Sequence, residues 1–113
     1  MRILGIAGKD YSGTPLATKL GAKPGAGVVV LFTAWRADLE RRFPPLKATL
    51  DPADGLWIAW PKKAAGLDGD LSFEAVQEVG LANGLVDNKS ASIDASWQAL
   101  RFVYRLEDRP GRR

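Results

Sequence analysis

The sequence contains neither cysteine nor histidine, and these two absences exclude several kinds of functional site. Without cysteine no disulfide can form, which fits a reducing compartment, and we expect a cytoplasmic protein. Zinc centres built from cysteine and histidine are excluded, as are a cysteine nucleophile and a histidine-based catalytic triad. Acid–base chemistry would therefore fall to Asp, Glu, Lys or Tyr side chains.

Long apolar runs are also missing. None approaches the roughly 20 residues that a membrane-spanning helix needs. The opening MRILGIAG is too short and too rich in glycine to serve as the apolar region of a signal peptide. We therefore expect no contact with a membrane.

The chain of 113 residues, with 46% hydrophobic and 26% charged residues, has the size and composition of one globular domain. We predict a single α/β domain over residues 1–106, in which residues 1–10 form either a leader or an edge strand. Residues 107–113 form a basic tail, which we interpret as a solubilising end. An arm for nucleic acid or acidic lipid is the alternative, although the net charge of only +3 gives it little support.

Two apolar runs of strand length mark the middle of the chain. Residues 27–33 are GVVVLFT, and the apolar run 56–60 lies within GLWIAWPKK at 55–63. Both predict buried strands, the second at the centre of the sheet. Between them, apolar residues recur every three or four positions, which predicts a helix over 34–50 that is kinked or split at Pro44 and Pro45. The residues of this stripe are Trp35, Leu39, Phe43, Leu46 and Leu50. A strand, a helix and a strand in this order predict a parallel pair.

The second half of the chain predicts one more helix and a hairpin. Ser72 can cap a helix that runs to about Asn83 and stops at Gly84. Its inward residues would be Phe73, Val76, Val79 and Gly80. Residues 85–93 predict a strand with one polar face, at a margin of the sheet, and residues 99–106 alternate as a strand, so a turn at 94–97 closes an antiparallel hairpin. Near the start, residues 14–21 predict a small helix, followed by a turn at 23–25.

Three segments resemble a bacterial family that is known only as a domain of unknown function. They are YSGTPLATKLG at 11–21 with KPG at 23–25, WIAWPKK at 57–63, and GLVD at 84–87 with ID at 93–94, SW at 96–97 and LRFVYR at 100–105. The resemblance implies a small relative of the methyltransferase-type Rossmann fold that ends in a helix, a strand and a reversed last strand. It implies no established activity.

The chain departs from that family in three places. Members usually have a strand, a glycine-bearing loop and a further stretch between the turn at 23–25 and the strand that follows, whereas Gly25 here leads almost directly into that strand. Ser90, Ala91 and Ser92 are smaller and more polar than the family's residues, and Ala95 stands where a carboxylate is usual. The resemblance thus implies a reduced methyltransferase-like Rossmann fold: a small, mostly parallel sheet flanked by helices, with a C-terminal antiparallel hairpin.

The candidate site is the loop at 61–70 together with the hairpin turn at 94–97, because ligands of open α/β sheets bind at the carboxyl ends of the strands. Lys62 and Lys63 are the candidates for holding an anion, and Trp60 or Trp97 for stacking. The whole candidate ligand-binding set is Trp60, Lys62, Lys63, Asp70, Asp94 and Trp97. The alternative is that the lysines only solvate the end of a strand, and that Trp57 and Trp60 belong to the core. We interpret the basic residues of the helix at 34–50 as a solvated outer face, and an anion patch is the alternative.

Three functional hypotheses remain. The first is a non-catalytic binding or interaction module that recognises an anionic small molecule or a protein partner, with no catalytic residue, metal or cofactor. The second is an enzyme dependent on S-adenosylmethionine or a nucleotide, whose acid–base residues would come from Asp68, Asp70, Asp94, Lys62 and Tyr104. Asp68 and Asp70 would then be the ligands of a Mg²⁺ ion. The third is a structural domain that forms a homodimer through an exposed sheet edge or face.

Overall fold

The structure, a computed structural model, describes residues 2–4, 28–50 and 54–105. The elements in these ranges are β1 (Arg2–Leu4), β2 (Val28–Phe32), α1 (Arg36–Ala48), β3 (Gly55–Pro61), α2 (Phe73–Ala82), β4 (Leu85–Ser92) and β5 (Trp97–Tyr104). A short 3₁₀ turn, Lys63–Ala65, follows β3. The predicted α/β class is confirmed. The predicted helix at 14–21, the turn at 23–25 and the tail at 107–113 lie outside the described residues.

The strands form one mixed sheet in the order β1-β2-β3-β5-β4. β2 to β5 make its four-stranded body, and β1 adds three residues at one edge, so this segment is an edge strand. β1, β2 and β3 pair in parallel, whereas β5 is antiparallel to both β3 and β4. The predicted parallel pair, the C-terminal hairpin and the marginal position of β4 are therefore confirmed.

β3 is the centre of the core because its apolar residues are buried on both faces of the sheet. Leu56, Ile58 and Trp60 pack toward the two helices, whereas Trp57 and Ala59 pack on the opposite face. Trp57 has no exposed surface, as predicted for a core residue. A strand in which apolar and polar residues do not alternate is expected where both faces of a sheet are covered. No helix within the described residues belongs to the cluster on the second face.

α1 differs from its prediction in two respects. It is one helix of 13 residues that continues through Pro44 and Pro45, so of the two predicted alternatives, a kink or two short helices, the second is wrong. Both prolines lie on the exposed side, where water can hydrogen-bond the carbonyls that lose their amide partners. Leu39 and Phe43 are buried as predicted, but Trp35 precedes the helix and remains 52% exposed.

α2 begins and ends as its sequence predicts. The Ser72 hydroxyl accepts a hydrogen bond from the Ala75 amide at 3.2 Å, and Gly84 adopts a positive φ of 84° after the last turn. Val76, Val79 and Gly80 face the sheet as predicted. Phe73, however, is 40% exposed, because it is the first residue of the helix and lies beyond the covered part of the sheet.

Gly80 brings α2 unusually close to β5. A Cβ atom at this position would lie 2.5 Å from Cδ1 and Cζ of Phe102, well inside van der Waals contact. The Phe102 ring is fully buried and packs edge-on against Phe43, with 5.6 Å between the ring centroids. The ring therefore has little room to move aside, and the helix can keep this distance only with glycine at position 80.

We predict that Gly80→Ala destabilises the protein. Replacing glycine by alanine within a helix normally stabilises it by about 1 kcal/mol. Here the added methyl group overpacks the Phe102 contact, and the free energy of unfolding should fall by about 1–3 kcal/mol. Urea denaturation measures the change. Ala82→Gly on the exposed side of the same helix is the control for helix propensity, and a stabilised Gly80→Ala variant would contradict the close approach.

Candidate functional site

A groove lies on the helix face of the sheet, beyond the start of α2. The helix covers the first half of β4, where the Gln77 amide donates to Asp87 Oδ1 at 3.2 Å. The second half of β4 is left exposed on this side at Ser90 and Ser92, beside Gln98 of β5. These residues border a cavity of about 280 Å³, whose lining residues are Trp60, Lys62, Phe73, Ser90, Ala91, Ser92, Gln98 and Ala99.

The strand register determines which side chains of β3, β5 and β4 line the groove. Trp60 pairs with Gln98, and Gln98 pairs with Ser92, so these three side chains lie side by side across β3, β5 and β4. Ser90 lies two residues before Ser92, on the same face. The Ser90 hydroxyl and the Gln98 amide form no hydrogen bond to another described side chain, and so both can bind a ligand or water.

Lys62 is held in place at the mouth of the groove. Its Nζ donates to Ser92 Oγ at 2.6 Å, and its backbone amide donates to the Ser96 carbonyl at 2.8 Å. Among residues 28–50 and 54–105, no carboxylate lies within ion-pair distance of Lys62. Its positive charge is therefore positioned by the hairpin but not neutralised by a described acidic residue.

Two aromatic rings also line the groove. Trp60 is only 1% exposed, so it is a core residue whose edge contributes to the lining. Phe73 packs edge-on against Trp60, with 6.4 Å between the ring centroids, and keeps 40% of its surface exposed. Since Phe73 is the first residue of α2, the positive end of the helix dipole also lies beside the groove.

The described lining of the groove offers hydrogen-bond donors to a ligand. Among the described lining residues, Lys62 is the one titratable side chain, beside the Ser90 and Ser92 hydroxyls and the Gln98 amide. The Lys62 ammonium group, the Ser90 hydroxyl and the Gln98 amide can donate hydrogen bonds to an anion, whereas the Ser92 hydroxyl donates to the Asp94 carbonyl at 3.4 Å. The described lining contains no carboxylate that would oppose an anion. The cavity volume lies at the lower end of the range of about 300–1,000 Å³ for ligand pockets, so it suits a small ligand.

Lys63 lies in a neighbouring hollow. This hollow, of about 100 Å³, is lined by Pro61, Lys62, Lys63, Leu67, Gly69 and Leu71. Lys63 opens the 3₁₀ turn and is exposed. Lys62 therefore borders both spaces, whereas Lys63 borders only the smaller one.

Asp70 caps the start of α1. Its Oδ1 accepts a hydrogen bond from the Arg36 amide at 2.6 Å, and its own amide donates to the Ala34 carbonyl at 2.9 Å. Trp35, the residue that precedes the helix, has a side chain that cannot perform this role. The loop after β3 is thus fastened to α1, and the Asp70 carboxylate is used in that contact.

Asp94 and Trp97 hold the β4–β5 hairpin together. Asp94 Oδ1 accepts hydrogen bonds from the amides of Ser96 at 2.8 Å and Trp97 at 3.0 Å. Trp97 is 3% exposed and packs edge-on against Phe32, at 5.2 Å between ring centroids, within the cluster on the second face. Neither residue lines the groove.

The structure therefore brings together only part of the predicted site. Trp60 and Lys62 lie in the groove and Lys63 beside it, while Asp70, Asp94 and Trp97 lie elsewhere. Sequence reasoning missed Phe73, Ser90, Ser92 and Gln98. The polar alternation of the β4 segment was the available signal for the two serines, but it could not show which strand would lie opposite them.

The arginines of α1 are paired with acidic side chains. Asp38 Oδ1 accepts from Arg41 at 2.6 Å and from Arg42 at 2.9 Å, and Asp38 Oδ2 accepts from the Thr33 hydroxyl at 2.7 Å. Arg36 lies 3.4 Å from Glu40 and 3.6 Å from Glu78. These pairs favour a solvated outer face over an anion patch on this helix.

The residues of the enzyme hypothesis are dispersed. The Tyr104 hydroxyl donates to the Lys47 carbonyl at 3.3 Å at the far end of β5, and Asp68 is exposed in the loop. Within the described ranges, no three Asp or Glu side chains are grouped so that they could hold a metal ion. The described helices include none with the length and apolarity to cross a membrane.

Comparison with known proteins adds no relative: none of the protein-family models matches the chain, and none of the curated proteins is significantly similar to it. The resemblance to the methyltransferase-like family therefore remains a hypothesis.

We predict that Asp70→Ala lowers the free energy of unfolding by about 1 kcal/mol, because the start of α1 loses its capping carboxylate. Asp68→Ala is the matched control, since Asp68 lies in the same loop and is exposed. It should leave stability unchanged within about 0.5 kcal/mol. Urea denaturation of both variants measures the difference. Equal effects of the two substitutions would show that the Asp70 contact does not stabilise α1.

We predict that Asp38 makes the protein sensitive to acid. Burial raises the pKa of Asp38, but hydrogen bonds from Thr33, Arg42 and Arg41 and the charge of Arg42 outweigh it, and the net pKa falls below the ordinary value of 3.8. A pKa lowered by folding stabilises the protein above the unfolded value, and this stabilisation is lost as the pH falls through the folded value.

Asp38→Asn should therefore be less stable than the wild type at pH 7, and the gap should narrow below pH 3.8. Urea denaturation at a series of pH values tests this, with Asp68→Asn as a control that should follow the wild type. A gap between Asp38→Asn and the wild type that is constant with pH would show that the ionised carboxylate does not stabilise the fold.

Proposed function

We propose that the protein is a non-catalytic binding module that holds a small anionic ligand in the groove beside Lys62. The observation that carries this proposal is the position of Lys62, whose ammonium group is anchored on Ser92 Oγ at 2.6 Å beside a cavity of about 280 Å³. The Ser90 hydroxyl and the Gln98 amide supply further donors. An anchored cation loses little side-chain entropy when an anion binds, which favours affinity.

We further propose that the sheet is a reduced methyltransferase-like Rossmann arrangement, mostly parallel in strand direction. β5 lies between β3 and β4 and is antiparallel to both, so β4 runs in the same direction as β1, β2 and β3. The chain ends in a helix, a strand and a reversed last strand, which is also the ending that the family resemblance implies. The reversed strand lies beside the central strand. In this arrangement the groove lies at the carboxyl end of β3, where ligands of open α/β sheets bind.

The two other hypotheses receive less support from the structure. The dispersed positions of Asp68, Asp70, Asp94 and Tyr104 do not favour an enzyme that works through them. For a homodimer, the free edge of β4 is the natural surface, yet its register shifts between Asp87 and Lys89. Bulges and lysines on an edge strand oppose pairing with another strand. Micromolar binding of S-adenosylmethionine would reverse this ranking in favour of the enzyme.

We predict that Lys62 is required for anion binding. Titration of the ¹⁵N-labelled protein with inorganic phosphate, benzoate and phenyl phosphate should shift the Gln98 side-chain amide and the Trp60 indole signals. A hydrogen bond to a charged group contributes about 1.5–3 kcal/mol, so Lys62→Ala should weaken binding by about tenfold or more. Lys63→Ala should have a smaller effect, because Lys63 borders only the neighbouring hollow.

The control is Lys89→Ala. Lys89 is an exposed lysine of the same charge on β4, but it pairs with Arg101 and points away from the helix face. Its removal should leave the titration unchanged apart from a small effect of net charge. If the double variant Lys62→Ala, Lys63→Ala binds the anions as well as the wild type, the groove is not the binding site and the proposal fails.

A further inference from the structure

We infer that the groove selects anions that carry a planar aromatic ring, and that Phe73 is the residue that recognises the ring. The inference rests on the proposed anion site and specifies its ligand class: one aromatic ring bearing a carboxylate or phosphate group. It is drawn from three features of the groove, which are the exposure of Phe73, the separation of polar and apolar walls, and the cavity volume.

The exposure of Phe73 is the first feature. The ring is 40% exposed although it begins a helix whose other sheet-facing residues, Val76 and Val79, are no more than 3% exposed. It precedes Gly80 by two helical turns and therefore lies on the same side of α2. The sheet below it ends in the groove, so its exposed surface borders the cavity instead of packing on a neighbouring strand.

The orientation of Phe73 is set by Trp60. The two rings meet at 64° with 6.4 Å between centroids, an edge-to-face contact that holds Phe73 while leaving part of its surface open to the groove. Trp60 is itself buried and cannot move away. A ring held in this way is a rigid surface on which a second aromatic ring can pack, in an offset-stacked or edge-to-face arrangement.

The groove has a polar side and an aromatic side. Lys62, Ser90, Ser92 and Gln98 belong to the sheet or to its end, whereas the exposed ring belongs to the helix. A ligand that contacts both sides has an acidic group at one end and a flat apolar group at the other. The volume of about 280 Å³ is large enough for one ring and one acidic group.

A purely structural role for Phe73 would explain its contact with Trp60 but predicts no preference among anions. The two explanations are separated by paired ligands of similar size that differ only in aromaticity: benzoate against cyclohexanecarboxylate, and phenyl phosphate against cyclohexyl phosphate. Aromatic pairs contribute beyond the area they bury, which corresponds to roughly a two- to tenfold difference in affinity.

The test measures dissociation constants by NMR titration for the wild type, Phe73→Leu, Phe73→Tyr and Leu81→Ala. We expect the wild type to prefer the aromatic member of at least one pair by roughly two- to tenfold. Phe73→Leu should abolish that preference, with phosphate binding still dependent on Lys62, and Phe73→Tyr should retain it. Leu81 is 42% exposed on the same helix and does not line the groove, so Leu81→Ala should retain it as well.

Two results would overturn the inference and leave the proposed function intact: equal affinities within both pairs in the wild type, or a preference that persists in Phe73→Leu. In both cases Lys62 would still be required for phosphate binding. Unchanged anion binding in the double variant Lys62→Ala, Lys63→Ala, or no binding by the wild type, would instead overturn the anion site itself and the inference with it.

Discussion

The contact between Gly80 and Phe102 sets the position of α2 on the sheet, and the groove follows from that position. A helix this close to β5 covers the first half of β4. Its first residue, Phe73, borders the groove, and the helix does not extend over Ser90 and Ser92. A side chain at position 80 would lift or shift the helix, since the Phe102 ring is fixed by its neighbours in a close-packed core. The groove beside the second half of β4 is thus a consequence of packing elsewhere in the molecule.

The loop after β3 adds the charge to this groove. It starts at Lys62, whose amide and ammonium group are both bound to the hairpin, and it ends at Asp70, which caps α1. The loop is therefore fastened at both ends, to two elements that are far apart in sequence. Preorganisation of this kind reduces the entropy that binding must overcome, and it explains how an exposed loop can present one cation in a defined place.

The element pattern was predictable because it depends on local features. Apolar runs, the Ser72 cap and the Gly84 stop predicted β2, β3 and α2 correctly, and the short link predicted the β4–β5 hairpin. The site was predicted only near Lys62. Asp70 and Trp97 are residue types that often bind ligands, but here both have structural roles. Asp70 caps α1 through the Arg36 amide, and Trp97 packs against Phe32 in the core. Both partners are remote in sequence.

The sequence by itself determined the class of fold, the central buried strand and the exclusion of cysteine and histidine chemistry, since these follow from composition and from periodicity along the chain. Only the tertiary structure decided which polar groups share a surface. Strand order and register place Ser92, Gln98 and Trp60 side by side. Phe73 is exposed because it is the first residue of α2 and lies beyond the part of the sheet that the helix covers. Both depend on contacts between distant residues, which no local pattern specifies.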